Sequence, residues 1–244
     1  MSALVRSLLP VSILFLATPV SAQWSVSAFL GDAATSPTRL DVRSSADDVA
    51  VTLDRVHLDD ESSKSPWYYG WRVTRRIQSV SWLGFEAEFI HAKTIADTAQ
   101  LVRVQGRLSG IVVDGQLPMS AVLSRFELSH GLNFLFGNAL IHWPLWSARG
   151  EPRLAVAGRF GVGPTIPHVE STFHGQNEDA YHVGRIGIGG GIGAEVRLTN
   201  RLFAVGDLKY TTTRQNVRVG SAEIEGRFTT RHLMAGLMWR LTSP

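Results

Sequence analysis

The segment Leu83–Phe89, which reads LGFEAEF, alternates without a break between apolar residues and glycine or glutamate. Successive side chains of a β-strand point to opposite sides, so the apolar residues share one face and Glu86 and Glu88 the other. In a soluble sheet the apolar face would be buried and the glutamates would meet water. In a membrane barrel the apolar face meets lipid and the charges point inward. The stretch therefore predicts a strand, and this strand fits both a soluble sheet and a membrane barrel.

The same period-two alternation recurs in eight places along the chain. The segments run approximately over 24–31, 67–77, 83–89, 126–140, 153–162, 185–198, 202–209 and 232–241. In the fourth segment the pattern assigns Phe134, Phe136 and Leu140 to the apolar, outward face. We therefore predict an all-β chain of eight strands.

The amino terminus is typical of a secretory signal peptide. Arg6 precedes an apolar run over 8–20, and the small residues Ser21 and Ala22 stand at the expected cleavage point. The run is too short for a transmembrane helix, which needs about 20 residues. We expect residues 1–22 to be the signal peptide and residues 23–244 to form one exported domain.

The composition narrows the class of protein further. The chain has no cysteine, so disulfides cannot stabilise the exported domain. A formal net charge of +3 argues against a nucleic-acid-binding surface, which would be strongly basic.

The connections between the segments alternate in length. Short turns at 78–80 and 199–200 contrast with long polar connections at 33–66, 94–122 and 211–226. This asymmetry, with tryptophans near the segment ends, is the layout of a bacterial outer-membrane barrel. We predict an eight-stranded antiparallel transmembrane β-barrel, with the architecture of OmpA and OmpX, in the outer membrane. A soluble β-sandwich is the alternative.

An eight-stranded barrel is filled by its own side chains. Charges assigned to the inward face can satisfy one another as hydrogen-bonded pairs, which buried ions require. A catalytic carboxylate pair at Glu86 and Glu88 is the competing interpretation. The predicted structural interior comprises Arg72, Glu86, Glu88, Glu127, Arg159, Arg185 and Glu195.

Three basic or titratable residues continue the outward face at one end of the barrel. The alternation predicts that His91, Lys93 and His130 face the outer leaflet, on neighbouring strands. Basic groups there are costly unless they meet anionic headgroups. Lipopolysaccharide, with its phosphorylated sugars, is the expected partner. The alternative is that these residues belong to an ordinary interfacial girdle.

Four stretches of the chain resemble one family. They are Pro66–Arg72, Gly84–Lys93, Phe126–Asn133 and Pro167–Ser171, and they look like segments of the lipid A oxidase-like outer-membrane proteins. The resemblance runs in order over most of residues 24–241. It implies an oxygen-dependent oxidation of the proximal glucosamine of lipid A to an aminogluconate unit. It implies no established set of catalytic residues.

Oxidation by dioxygen needs a metal or an organic cofactor, because side chains are poor at one-electron chemistry. Iron or copper held by histidine and carboxylate is chemically suitable. The candidate ligands at the outer rim are His91, His130, His168 and Glu170. We assign His91 and His130 as candidate catalytic residues and Lys93 to a lipid phosphate.

Two other functions fit a barrel of this size. A lipid A 3-O-deacylase places its nucleophilic serine two residues after the histidine, and here that position is Leu132. Ser129 is predicted on the opposite face from His130, unless a bulge at Gly131 changes the alternation. A structural or adhesive barrel without enzymatic activity would need none of these side chains.

Overall fold

The computed structural model describes residues 23–148 and 151–241 and contains sixteen strands. The expected signal peptide, residues 1–22, lies outside the described residues. In chain order the strands are β1 (Gln23–Thr35), β2 (Thr38–Ser44), β3 (Val49–Val56), β4 (Leu58–Asp59), β5 (Tyr69–Ile77), β6 (Val80–His91), β7 (Thr94–Ala96), β8 (Leu101–Leu108), β9 (Ile111–Pro118), β10 (Arg125–Leu128), β11 (Leu132–Ala148), β12 (Glu151–Phe173), β13 (Gln176–Tyr181), β14 (Ile186–Arg197), β15 (Leu202–Val219) and β16 (Ala222–Arg240).

Eight of these strands close into a barrel. Neighbours pair antiparallel in the order β1, β5, β6, β11, β12, β14, β15 and β16, and β16 pairs back onto β1. Each barrel strand falls on one of the eight segments that alternation picked out. The predicted fold, an eight-stranded antiparallel barrel, is confirmed.

The outer surface of the barrel is apolar and bordered by aromatic side chains. Leu30, Phe85, Val162, Ile192 and Leu237 are exposed on five different strands. One aromatic border lies where the short turns are, and its exposed members are Trp24, Trp82, Trp143, Trp146 and Trp239. The other lies toward the long connections and includes Trp67, Tyr69, Trp71, Tyr181 and Tyr210. An apolar band between two aromatic girdles is the exterior of a bacterial outer-membrane barrel.

Among the described residues, no helix has the length and apolar character needed to cross a membrane.

The barrel interior is filled by paired charges. The Arg72 guanidinium donates from Nε to Glu88 Oε1 at 2.9 Å and from Nη1 to Asp207 Oδ2 at 2.6 Å. Arg159 donates to the other oxygen of Asp207 at 2.5 Å and to Glu86 Oε2 at 3.2 Å. These five side chains are buried. Each charge therefore has a hydrogen-bonded partner of opposite sign, as burial requires.

Further polar groups complete this network. Asn138 donates to Glu86 at 2.9 Å and to Glu88 at 2.8 Å, and Lys209 contacts Glu88. Below them, Glu195 lies 3.3 Å from His142. Arg72, Glu86, Glu88, Arg159 and Glu195 thus lie in the interior, where the alternation placed them.

Two residues assigned to the interior lie elsewhere. Glu127 is on β10, which is not a barrel strand, and it pairs with the exposed Arg125 at 2.9 Å. Arg185 precedes β14, so strand alternation does not govern its direction, and its side chain is exposed.

The outward assignment of Phe134, Phe136 and Leu140 is also wrong, because all three are buried. The predicted fourth segment is really two strands, β10 and β11, separated by a turn at 129–131. The even-numbered residues are buried in both strands, so the apolar side of this segment faces the cap core and the barrel interior and not the lipid. The lipid-facing side of β11 instead carries Leu135, Ile141 and Trp143.

The long connections at 33–66 and 94–122 fold into a cap over the barrel. One cap sheet joins β2, β3, β8 and β9 to the upper part of β16. A second joins β4, β7, β10 and β13 to the upper part of β12. The predicted connection 211–226 is not a loop, because β15 and β16 continue to a turn at 220–221.

A hydrophobic core lies between the cap and the top of the barrel. Leu40, Leu53, Met119, Phe126 and Phe228 are each almost completely buried in it. The cap stands at the end opposite the short turns, which is the extracellular end of an outer-membrane barrel. The amino-terminal start of β1 is therefore periplasmic.

Candidate functional site

A tight turn between β10 and β11 presents His130 to the outside. Gly131 in this turn has φ of +110°, a conformation that side chains with a β-carbon rarely adopt. The turn is held by backbone hydrogen bonds from Leu132 to the Ala92 carbonyl at 2.6 Å and from His168 to the Gly131 carbonyl at 3.0 Å. The His130 side chain is 53% exposed.

Three candidate ligands converge beside this turn. His130 Nδ1 lies 2.8 Å from Glu170 Oε1, and His168 Nδ1 lies 3.5 Å from the same oxygen. One ligand atom from each of the three residues lies within 4.8 Å of the other two. The predicted set of four is thus reduced to His130, His168 and Glu170, and we call these three residues the rim cluster.

Glu170 anchors the rim cluster as an ionised carboxylate. Burial disfavours its charge, but hydrogen bonds from Ser129 and His130, together with the charge of Arg125, hold its pKa below the ordinary glutamate value. Arg125 contacts Oε2, while Ser129 and His130 contact Oε1. A carboxylate that stays ionised at neutral pH can bind a cation without first releasing a proton.

His168 carries an unsatisfied nitrogen inside the cluster. Its side chain is 12% exposed, and Nδ1 is buried without a hydrogen-bond partner. Its other nitrogen, Nε2, lies 3.3 Å from Asp179 Oδ1, and its ring contacts the Tyr181 ring at 4.4 Å between centroids. Asp179 therefore orients the imidazole from behind, as outer carboxylates orient metal-bound histidines.

The rim cluster lies on the lipid-facing side of the barrel. Val162 and Ile166 on β12 are exposed and point outward. His168 and Glu170 continue the same side of the strand. With a rise of about 3.3 Å per residue, His168 lies roughly 7 Å above Ile166. The cluster thus stands at the upper edge of the apolar band, where a lipid headgroup would lie.

The structure separates His91 and Lys93 from this surface. His91 is buried, stacks on Tyr69 at 4.9 Å and lies 2.8 Å from the Asn133 side chain. Lys93 is buried under the cap and donates to the Lys64 carbonyl at 3.0 Å. Burial lowers the pKa of Lys93. The expectation that Lys93 faces the outer leaflet is wrong, because the first long connection folds over it.

Ser129 lies close to His130 but not in the geometry of a catalytic triad. Its hydroxyl is 3.4 Å from His130 Nδ1, and it also donates to Glu170. A triad needs the serine on one imidazole nitrogen and the acid on the other. Here Ser129 and Glu170 share Nδ1, so His130 cannot relay a proton from the serine to the acid.

The donor set of the rim cluster fits a metal ion. Two histidines and one carboxylate form the ligand set of non-haem iron oxygenases, in which open positions remain for substrate and oxygen. The orphaned His168 nitrogen has no competing partner, whereas a metal would replace the contact between His130 Nδ1 and Glu170 Oε1. Sequence reasoning missed Arg125, Asp179 and Tyr181, which surround the cluster, and it placed Ser129 on the opposite face from His130, although both side chains contact Glu170 Oε1. The pairing of β12 with β10 and β13 brings them there, and alternation within a strand does not reveal such pairing.

The closed barrel, its apolar band and its charged interior define the chain as a bacterial outer-membrane β-barrel protein. No protein-family model matches the sequence, and no curated protein matches it significantly.

Several solved structures of outer-membrane barrels are similar in fold. Neisserial surface protein A has a TM-score of 0.42 and 11% identity over 90% of this chain and 99% of its own. The outer membrane protease OmpT from Escherichia coli has a TM-score of 0.43 and 9% identity, over 90% and 97% respectively. The outer membrane protein OprG from Pseudomonas aeruginosa has a TM-score of 0.39 and 13% identity, over 91% and 95%. Similarity at this level carries no information on activity.

Proposed function

We propose that this barrel is an outer-membrane enzyme that oxidises the proximal glucosamine of lipid A, with a metal held by the rim cluster. The observation that carries the proposal is the convergence of His130, His168 and Glu170 on the lipid-facing side, directly above exposed Ile166. Lipid A cannot enter an interior filled with paired charges. Its sugar would therefore have to meet reactive groups from outside, at this height.

The residues of the site have separate roles in this proposal. His168 and Glu170 are nearly buried and would hold the metal, while the exposed His130 would complete the ligand set beside the sugar. Asp179 and Arg125 act as positioning residues in this proposal, because Asp179 lies 3.3 Å from His168 Nε2 and Arg125 contacts Glu170 Oε2. A bound iron or copper ion would supply the one-electron chemistry that dioxygen requires.

The reaction balances as a two-electron oxidation. The anomeric carbon of the closed glucosamine ring, which carries a free hydroxyl, is oxidised with the loss of two electrons and two protons. Dioxygen takes up both electrons and both protons and becomes hydrogen peroxide. Water then opens the resulting lactone to the aminogluconate. The lipid product gains one oxygen atom, and peroxide is formed in equal amount.

The proposal is tested with and without the gene in a bacterial strain whose lipid A has a free hydroxyl, and not a phosphate, on the anomeric carbon of the proximal glucosamine. We expect lipid A from the expressing strain to gain one oxygen atom by mass spectrometry, only when the cells are aerated. His168→Ala and Glu170→Gln should abolish this product. His182→Ala is the matched control, because His182 pairs with Glu178 at 2.9 Å outside the cluster. An unmodified lipid A in the wild-type strain would contradict the proposal, and full modification by His168→Ala would reject the site.

Metal binding and the deacylase alternative are tested in the same variants. Purified wild-type protein should bind iron or copper in a titration, and His168→Ala should bind it at least tenfold more weakly. Ser129→Ala should retain the oxidised product. A loss of an acyl chain from lipid A that depends on Ser129 would instead assign the site to a hydrolase.

A further inference from the structure

A second group of outward-facing charges lies further around the barrel from the rim cluster, at strands β14, β15 and β16. Arg214 on β15 and Arg227 on β16 are directly opposite each other in the strand register, and both are exposed. Arg185 lines the same shallow groove, together with Ile186, Ile188 and Thr212. We call Arg185, Arg214 and Arg227 the arginine cluster.

The arginine cluster is electrostatically unfavourable in the protein alone. Like charges directly opposite each other on paired strands are destabilising. In the described part of the chain, no ion pair joins any of the three arginines to a carboxylate. Asp41 and Glu225 line an adjoining groove together with Arg214 and Arg227, but Asp41 is engaged by Arg39 at 3.1 Å and Thr52 at 2.6 Å, and no nitrogen of either arginine lies within 4.0 Å of a Glu225 carboxylate oxygen. These two carboxylates do not pair with the three arginines, so the cluster keeps an excess of positive charge that an anion from outside can neutralise.

The surface below the cluster changes stepwise from polar to apolar. Beneath Arg214 and Arg227, the next outward pair is Thr212 and Thr229, with hydroxyls 3.1 Å apart. The next pair is Tyr210 with Arg231, and both residues line a groove together with Asp32. The pair after that is Leu208 with Leu233, and both leucines are exposed on the lipid-facing side. This gradient places the arginine cluster at the depth of the lipid headgroups and the leucines among the acyl chains.

We propose that the arginine cluster binds the phosphate of a phosphorylated glycolipid in the outer leaflet, namely the lipid A part of lipopolysaccharide. Guanidinium groups bind phosphate through two parallel hydrogen bonds. The exposed Ile186 and Ile188 offer an apolar wall to the acyl chains beside that phosphate. This inference goes beyond the proposed enzyme, because it holds for a barrel with or without a catalytic site.

The charge of the cluster favours a phosphate monoester over an ordinary phospholipid. A phosphate monoester carries a charge of about −1.5 to −2 at neutral pH. The diester of a glycerophospholipid carries a single negative charge, which compensates three unpaired arginines less well.

The cluster also adjoins the rim cluster. The Arg185 carbonyl accepts hydrogen bonds from Thr165 N at 3.2 Å and Thr165 Oγ1 at 2.8 Å. Thr165 precedes His168 by three residues on β12. If the proposed oxidation is correct, a phosphate held at Arg185 would position the sugar of the same lipid toward His168. This last step alone rests on the proposed function.

The test measures lipid binding to the full-length mature barrel in detergent by native mass spectrometry. The probes are bis-phosphorylated lipid A, enzymatically dephosphorylated lipid A and phosphatidylglycerol. We expect each arginine removed to weaken lipid A binding about fivefold, and the triple variant R185A/R214A/R227A by roughly a hundredfold. Dephosphorylated lipid A should bind the wild-type protein as weakly as lipid A binds the triple variant. R103A is the matched control, because Arg103 is an exposed arginine of the cap.

Three results would overturn the proposal. They are unchanged lipid A binding by the triple variant, equal binding of dephosphorylated lipid A, and equal binding of phosphatidylglycerol. Heat-modifiable migration on a gel verifies folding, and R214A alone, with its fivefold loss, provides the test if the triple variant does not fold. The binding assay contains no added metal, so it reports on the arginine cluster whether or not oxidation occurs. A failed oxidation and a failed phosphate site are therefore separate outcomes.

Discussion

Gly193 on β14 lies directly opposite Asp207 on β15, and a β-carbon at Gly193 would come within 2.0 Å of an Asp207 carboxylate oxygen. The missing side chain leaves room for Asp207 to accept hydrogen bonds from both Arg72 and Arg159. The same β-carbon would come within 2.9 Å of Arg159. The glycine-rich strand β14 thus makes space for the ion pairs of the interior.

Gly193→Ala should destabilise the barrel by about 1–3 kcal/mol, because the added methyl group overpacks the charged interior. Urea unfolding in lipid vesicles, followed by tryptophan fluorescence, measures the change. Gly158→Ala on β12 is the control, since a β-carbon there meets no atom within 4 Å. Equal free energies of unfolding for the two variants would contradict this prediction, because Asp207 and Arg159 would then accommodate the added methyl group without cost.

Glu86→Ala should cost about 3–5 kcal/mol, because it leaves Arg159 and Arg72 buried with one partner fewer. Asp114→Ala should cost at most about 1 kcal/mol, since it breaks an exposed ion pair with Arg103. The comparison uses the same urea unfolding assay. A Glu86→Ala protein that folds normally but leaves lipid A unmodified would instead support the catalytic interpretation of the interior carboxylates.

Asp47 should make the top of the cap sensitive to acid. Hydrogen bonds from Ser221 and Ser44 hold its pKa below the ordinary aspartate value, and His174 lies 3.4 Å away. A depressed carboxyl pKa stabilises the fold above the unfolded-state value of about 3.9, and this stabilisation is lost as pH falls through the folded value.

Hydrogen exchange of the turn at 220–221 measures this effect. Its protection in the wild-type protein should fall when the pH is lowered below about 3.9. In Asp47→Asn the protection should be lower at neutral pH and change less with acid. Identical pH profiles for the two proteins would contradict the role of the Asp47 charge.

Gly131→Ala should disrupt the turn that presents His130. The φ of +110° is strained for alanine, and the β-carbon would come within 2.4 Å of the Asn133 side chain and 2.6 Å of His91. We expect metal affinity to fall at least tenfold in titrations, in line with losses at residues that support metal ligands. Gly175→Ala is the control, because Gly175 also has a positive φ, of +78°, but no atom within 4 Å of its β-carbon. Equal metal affinity of the two variants would show that the turn does not position the ligands.

The barrel was predictable from the sequence because lipid on one side and charge on the other force a two-residue period. Glu86 and Glu88 point inward for the same reason that Phe85 points outward. The cap was not predictable in this way. Leu40, Val42, Val51 and Leu53 alternate with polar residues, but those polar residues make the connection look like a solvated loop.

The candidate site was predictable only in part. His168 and Glu170 share a side of one strand, so their proximity follows from the two-residue period. His130 lies in the turn that the positive φ of Gly131 allows, so its exposed side chain does not follow the buried side chains of Leu128 and Leu132. Lys93 was misplaced because the segment that covers it, near Lys64, lies 29 residues away in the chain. Alternation within one strand contains no information on such long-range coverage.

The hydrophobic core of the cap combines segments that lie far apart in the chain. Val42 and Met119 come from the two long connections, whereas Phe228 belongs to β16, the final strand. A half-inserted chain would have to leave the first two segments unpacked and open to proteases outside the cell. The cap core is complete only when the final strand is in place, so a closed cap requires a closed barrel.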